Sequence, residues 1–179
     1  MGKFNEIAIV ARATAFHDER AFGLLVEKYQ SPLRRFFLSQ TLGNVQLSED
    51  LAQETFIKAW HSIGNFKSMA RFSTWLFRIG YNVLYDYHRS QHLTDDLDSS
   101  EAMRQNSESA PEGLSMDLIK ALQTLNEKER TCITLQLIEG YPIDKISEIT
   151  EMPQNTIKSH LRRGKDKLTD YLKKNGYDR

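Results

Sequence analysis

Cysteine is almost missing from this chain of 179 residues. The single one, Cys132, excludes an internal disulfide, and its neighbours Ile133 and Leu135 mark it as a small buried hydrophobe rather than a reactive thiol. One cysteine cannot form a thiolate metal cage, the histidines at 17, 61, 88, 92 and 160 are scattered, and no glycine-rich phosphate loop occurs. No catalytic residue, metal site or cofactor is therefore expected. Long apolar runs are missing too, so nothing in the sequence spans a bilayer. The first apolar stretch, residues 7–10, is short and is followed by Arg12 rather than a small-residue cleavage site, unlike a secretion signal. A reducing cytoplasm is the expected location. Net charge is zero, so the molecule as a whole exerts no strong pull on DNA or anionic lipid.

Charge is instead distributed unevenly. Lys and Arg outnumber Asp and Glu eleven to eight over residues 1–91 and twelve to ten over 114–179, whereas residues 92–113 carry one basic residue against six acidic ones. That acidic middle has no Phe, Tyr or Trp and no sustained apolar period, so it cannot bury enough surface to fold alone. It is expected to be a flexible linker between two small domains, 1–91 and 114–179. A hydrophobic share of 40% suffices for two modest cores. In both flanks the apolar residues recur at helical spacing and no alternating strand pattern appears, which predicts an all-α fold. Helices are expected near residues 4–14, 18–29, 32–42, 47–63 and 71–90 in the first unit, punctuated by Pro32, Gly43 and Gly64. In the second they are expected near 115–125, 127–139, 142–150 and 154–173, with Gly140 ending one and Pro142 opening the next.

Residues 141–163 combine a short helix, a break around 151–153 and a longer helix, the punctuation of a helix-turn-helix. On the second helix Ile157, Leu161, Gly164, Leu168 and Leu172 share one face, leaving Ser159, Arg162 and Arg163 opposite with Lys158 at the margin. From 158 to 174 seven basic residues stand against two acidic ones, a local positive field that the overall neutrality conceals. An Arg fork matches the guanine O6 and N7 acceptors in the major groove, while Lys and Ser serve phosphates or base edges. A solvated basic face is the plainer reading of such a run, but the preceding short helix and break favour DNA.

In the helix near 47–63, Ala52, Phe56, Ala59 and Ile63 form the buried stripe, and Asp50, Gln53, Glu54, Ile57 and His61 lie on the other side. An acidic face with an apolar residue in it suits a basic protein partner and repels DNA phosphates. In the helix near 71–90 the core stripe is Phe72, Leu76, Ile79, Val83 and Tyr87. A second stripe, Arg71, Trp75, Arg78, Asn82, Tyr85 and Arg89, mixes cations, flat rings and an amide, which suits single-stranded DNA. The loop 64–70 before it is short enough to close over a flipped base. Against this stands the commoner fate of such rings, with Trp75 and Tyr85 as partly buried core aromatics.

Three stretches in this order, LSEDLAQETFIKAW at 47–60, FSTWLFRIGYN at 72–82 and PQNTIKSHLRR at 153–163, resemble the extracytoplasmic-function (ECF) sigma factors. Residues 21–90 are similar to the domain called region 2, and 114–172 to region 4. The resemblance implies a transcription-initiation subunit without catalytic residues of its own. It implies that Asp50, Gln53, Glu54, Phe56 and Ile57 dock on the clamp coiled coil of the polymerase β′ subunit, with the β flap as a further contact. Phe66, Lys67, Arg71, Trp75, Arg78, Asn82 and Arg89 would serve the melted −10 element, and Thr156, Lys158, Ser159, Arg162 and Arg163 the −35 duplex. An anti-sigma factor is implied as a further partner, and the linker would thread polymerase channels. Gly80 and Gly164 depart from the alanine frequent in the family, each at a helix cost of about 1 kcal/mol. Arg89 is nearly alone where several basic residues often follow the asparagine, and Arg162 occupies a position that varies. The rival readings are a ligand-responsive helix-turn-helix repressor and a decoy that binds an anti-sigma factor without touching DNA.

Overall fold

The computed structural model describes residues 3–67, 70–95 and 115–177, and among these every regular element is helical. The first unit holds α1 (Lys3–Phe16), α2 (Glu19–Gln40), α3 (Val45–Ser62), a 3₁₀ turn (Ile63–Asn65) and α4 (Phe72–Asp95). The second holds α5 (Met116–Gln123), α6 (Glu127–Ile133), a π turn (Thr134–Ile138), α7 (Ile143–Thr150) and α8 (Gln154–Lys174). The expected linker begins inside α4, which continues to Asp95, and its remainder lies outside the described residues.

Local chemistry sets four of the helix starts. Asp18, Asn44, Ser115 and Asn126 are N-caps whose side chains accept backbone N–H groups of the first turn. Pro32 does not break the second helix as expected, because α2 runs through it. The proline removes one backbone donor, but Ala21, Phe22, Leu25 and Tyr29 before it and Leu33, Phe36 and Phe37 after it bury one continuous face. Tertiary packing thus overrides the local breaker.

One apolar cluster joins Ile9, Val10 and Ala13 of α1 to Phe22, Leu25, Ala59, Ile63, Phe66, Phe72 and Leu76. Glu6 adds a polar tie, accepting from Tyr29 Oη at 2.7 Å and pairing with Lys28. A second cluster runs from Leu33, Phe36, Phe37 and Phe77 of the first unit into Leu122, Cys132, Leu135, Ile146, Ile149, Ile157 and Leu161 of the second. The two units therefore share a core.

Polar contacts cross the same seam. The Arg35 fork donates to both carboxylate oxygens of Glu139, each at 2.8 Å. Arg130, only 8% exposed, donates to three carbonyls: Leu122 and Leu125 of its own unit and Gln40 at the C-terminal end of α2. Placing a cation against the negative end of a helix is favourable, and a buried guanidinium needs every such acceptor. Gln40 further bonds Thr134 and Thr131, and Phe77 meets Tyr141 at 5.3 Å between ring centroids. In the π turn Glu139 N–H reaches back five residues to Thr134 carbonyl, and this wider turn precedes the Glu139 side chain's meeting with Arg35.

Candidate nucleic-acid interface

The helix-turn-helix forms as its punctuation predicts. α7 starts after Pro142 and ends at Glu151, which takes a left-handed conformation with φ of 58° and donates its N–H to Ser147 carbonyl at 2.9 Å. Ser147 Oγ donates to Met152 carbonyl at 2.7 Å, and Met152 N–H donates to Thr150 Oγ1 at 3.3 Å. These bonds fix the corner before α8.

Ile157 and Leu161 hold the inner face of α8 in the core, with Gly164 buried beside them and Leu168 half-buried. Gly164 has a packing reason, since a Cβ there would lie 2.8 Å from Ile133 Cγ1. Gly80 likewise lets α4 close on Leu33 Cδ1, where a Cβ would come within 3.2 Å. Outward, Thr156, Lys158, Ser159, Arg162 and Arg163 are all exposed.

Beneath that face lies a feature not anticipated from the sequence. Glu129 of α6 is 1% exposed, and each of its carboxylate oxygens meets a cation of α8: Oε2 accepts from Lys167 Nζ at 2.7 Å, and Oε1 lies 3.6 Å from Arg163 Nε. Oε2 also accepts the Asn126 N–H at 3.1 Å, closing a capping box. Burial alone pushes the Glu129 carboxyl up, but the bonds from Lys167 and Asn126 and the charges of Lys167 and Arg163 hold it below the ordinary carboxylate range. Arg163 further bonds His160 Nδ1 at 3.1 Å, and burial followed by that guanidinium lowers the imidazole's pKa. The Asn-x-x-Glu spacing of 126–129 was the sequence signal for the cap; nothing in it pointed to α8.

On α4 the core stripe is as expected, with Phe72, Leu76 and Val83 buried and Ile79 and Tyr87 half-buried. Arg71, Arg78, Asn82, Tyr85 and Arg89 are exposed along the second stripe, and Lys67 is exposed in the loop before it. Trp75 is half-buried, its ring 5.2 Å from Phe66 and 5.6 Å from Phe72. Phe66 corrects the expectation that its ring would meet DNA. The 3₁₀ turn draws the chain inward, Phe66 N–H donates to Ile63 carbonyl at 3.0 Å, and the side chain is 7% exposed between Phe72 and Trp75. Its ring supports the loop from inside. Arg78 reaches across the seam to pair with Glu151 at the helix-turn-helix corner, while Arg89 lies 3.8 Å from Asp86.

On α3, Asp50, Gln53, Glu54 and Ile57 form one exposed face, with Ile57 57% exposed. Glu54 pairs with Lys58 at 2.9 Å and Asp50 accepts from Gln46 at 3.1 Å, contacts weak enough at the surface to yield to a partner. Phe56 is half-buried beside that face and packs into both clusters. Among the described residues no group of three His, Cys, Asp or Glu side chains could hold a metal, and no helix is long and apolar enough to cross a membrane.

This architecture is that of the sigma-70 proteins: the Sigma-70 region 2 family matches residues 25–94, and the Sigma-70, region 4 family matches residues 115–168. The ECF RNA polymerase sigma factor SigW of Bacillus subtilis (strain 168) is 31% identical over 171 residues, covering 87% of this chain and 91% of that protein. The ECF RNA polymerase sigma-E factor of Escherichia coli (strain K12) is 31% identical over 170 residues, covering 84% and 86%. The sigma factor RpoE from Bartonella quintana, solved in complex with the anti-sigma factor NepR, superposes with a TM-score of 0.72 at 26% identity, covering 88% of this chain and 98% of that one. The chain belongs to the ECF sigma factors.

Proposed function

We propose that this chain directs core RNA polymerase to promoters by holding −35 duplex DNA with α8 and melted −10 DNA with α4. The observation that carries the reading is the presence in one chain of two exposed basic faces on separate units. Thr156, Lys158, Ser159, Arg162 and Arg163 form one; Lys67, Arg71, Arg78, Asn82 and Arg89 form the other. The side of Trp75 not covered by Phe66 and Phe72 is assigned to an unpaired base, worth roughly 1–3 kcal/mol by stacking. The α3 face of Asp50, Gln53, Glu54 and Ile57 is assigned to the β′ clamp coiled coil, with the β flap contacting the second unit. An anti-sigma factor is assigned as a partner, because the Bartonella relative was solved with one. The division into two units is kept with its first boundary moved from 91 to 95, where α4 ends, and the acidic segment after it is assigned as connector.

Unstacking bases costs a few kcal/mol per step, so a neutral 20.8 kDa chain does not sustain a bubble alone. The polymerase supplies most of the backbone affinity. Elements centred at −35 and −10 lie about 25 base pairs apart, about 85 Å at about 3.4 Å per pair. In the closed arrangement Arg78 of α4 touches Glu151 at the corner leading to α8, so the two readers adjoin. The units must part before one promoter can engage both.

Run-off transcription with purified core polymerase tests the reading: product is expected only when this chain is added. A repressor or a decoy gives none. Arg163→Ala is expected to weaken −35 recognition, and Asn82→Ala to impair opening more than initial binding. Equal losses at both steps in both variants would refute the division of labour.

A further inference from the structure

Glu129 lies buried beneath the exposed reading face of α8, and its two carboxylate oxygens meet two cations one turn apart on that helix, Arg163 and Lys167. Paired cations at i and i+4 held by one buried anion resist rotation of α8 about its own axis. The guanidinium of Arg163 is further constrained by its bond to His160, whose ring is 8% exposed. Arg163 is therefore restrained by two neighbours, Glu129 at 3.6 Å and His160 at 3.1 Å, whereas Arg162 beside it has no contact of this kind among the described residues.

We propose that Glu129 is a positioning residue for promoter reading: it fixes the direction in which Arg163 meets the −35 duplex, and so sets sequence discrimination without touching DNA. The inference rests on the assignment of α8 to the −35 element. A bidentate Arg fork discriminates between base pairs only when its plane is held to the guanine edge; a guanidinium free to swing finds the nearest phosphate instead. Neutralising Glu129 should thus lower discrimination and raise sequence-independent affinity at the same time. A residue that merely stabilises the fold would lower both.

Glu129→Gln separates the two roles, because glutamine at the third helical position still accepts the Asn126 N–H of the capping box but holds no ion pair. Holoenzyme assembled from core polymerase and the full chain is allowed to select from duplexes randomised over the −35 hexamer, and affinity is measured for the selected and the unselected sequences. Wild type is expected to enrich a defined sequence. The variant is expected to lose about 5- to 20-fold in the ratio of selected to unselected affinity, concentrated at one or two adjacent base pairs, with unchanged or tighter binding to unselected duplex. An unchanged ratio, or an equal fall for both duplexes, overturns the proposal. If wild type itself enriches nothing, the −35 assignment fails instead. Should the glutamine variant prove unfolded by circular dichroism, Glu129→Asp is measured in the same way. It keeps the charge but withdraws it by one methylene, so discrimination at the same base pairs should fall, and preserved discrimination overturns the proposal.

Discussion

Replacing Glu139 by alanine is expected to open the molecule. Glu139 is the acceptor of the Arg35 fork, its carboxylate is 4% exposed, and both N–H···O distances are 2.8 Å. The bond from Glu139 raises the pKa of Arg35 above its ordinary value, so the guanidinium stays charged throughout the physiological range. A hydrogen bond to a charged group contributes about 1.5–3 kcal/mol when shielded, and an exposed ion pair about 0–1 kcal/mol. Arg35 is 35% exposed, which places this pair between the two cases at about 1–2 kcal/mol after screening. That corresponds to about a 5- to 30-fold fall in the ratio of closed to open chain. Donor and acceptor dyes at Lys58→Cys and Lys173→Cys, both on exposed helix surface, report the ratio by single-molecule energy transfer. The long-distance population should grow by that factor in Glu139→Ala. Because a binding-competent state populated at a small fraction weakens apparent affinity by that fraction, promoter binding by holoenzyme should tighten in step. An unchanged distance distribution would show that the shared core alone sets the closed arrangement.

Four further outcomes follow from the same contacts. Glu151→Gly relieves a left-handed backbone that costs a non-glycine residue about 1 kcal/mol or more, and gives up only an exposed pair with Arg78. The melting temperature should hold or rise while affinity for a single-stranded −10 oligonucleotide increases; a clear drop in melting temperature contradicts this. Gly164→Ala gains about 1 kcal/mol of helix propensity but places a methyl 2.8 Å from Ile133 Cγ1, an overpacking cost of about 1–3 kcal/mol, so thermal denaturation should come a few degrees earlier. His160 has a lowered folded pKa, so its contribution is present above the ordinary value of 6.5 and is lost as pH falls through the folded value. Melting temperature should decline on acidification below 6.5, less so in His160→Asn, and a flat profile in wild type would count against a ring held neutral by burial and by the nearby Arg163. Burial pushes the Cys132 thiol up to about 12, so a thiol reagent at pH 8 should modify the native chain only as fast as it unfolds.

Periodicity determined most helices, most of the stripes they bury and the helix-turn-helix corner, because a repeat of 3.6 residues is a property of each segment by itself. Phe72, Leu76 and Val83 are inside and Arg71, Arg78 and Asn82 outside for that reason. Leu172, placed by spacing on the inner face of α8, is 42% exposed near the end of that helix. The charge pattern likewise separated an exposed acidic face on α3 from basic faces on α4 and α8. What the sequence did not carry is any property requiring partners far apart along the chain. Phe66, flanked by Asn65 and Lys67, resembles a loop residue until the 3₁₀ turn folds it between Phe72 and Trp75. Pro32 signals a break until one face of α2 is buried on both sides of it. Arg130 and Glu129 look like surface charges on a short helix, and only the approach of Gln40, 90 residues away from Arg130, and of Lys167, 38 away from Glu129, supplies the acceptors and donors that let them be buried. The desolvation of a charge can be compensated only by groups that tertiary structure brings to it, which is why the seam between the units and the anchoring of Arg163 belong to the fold and not to the pattern.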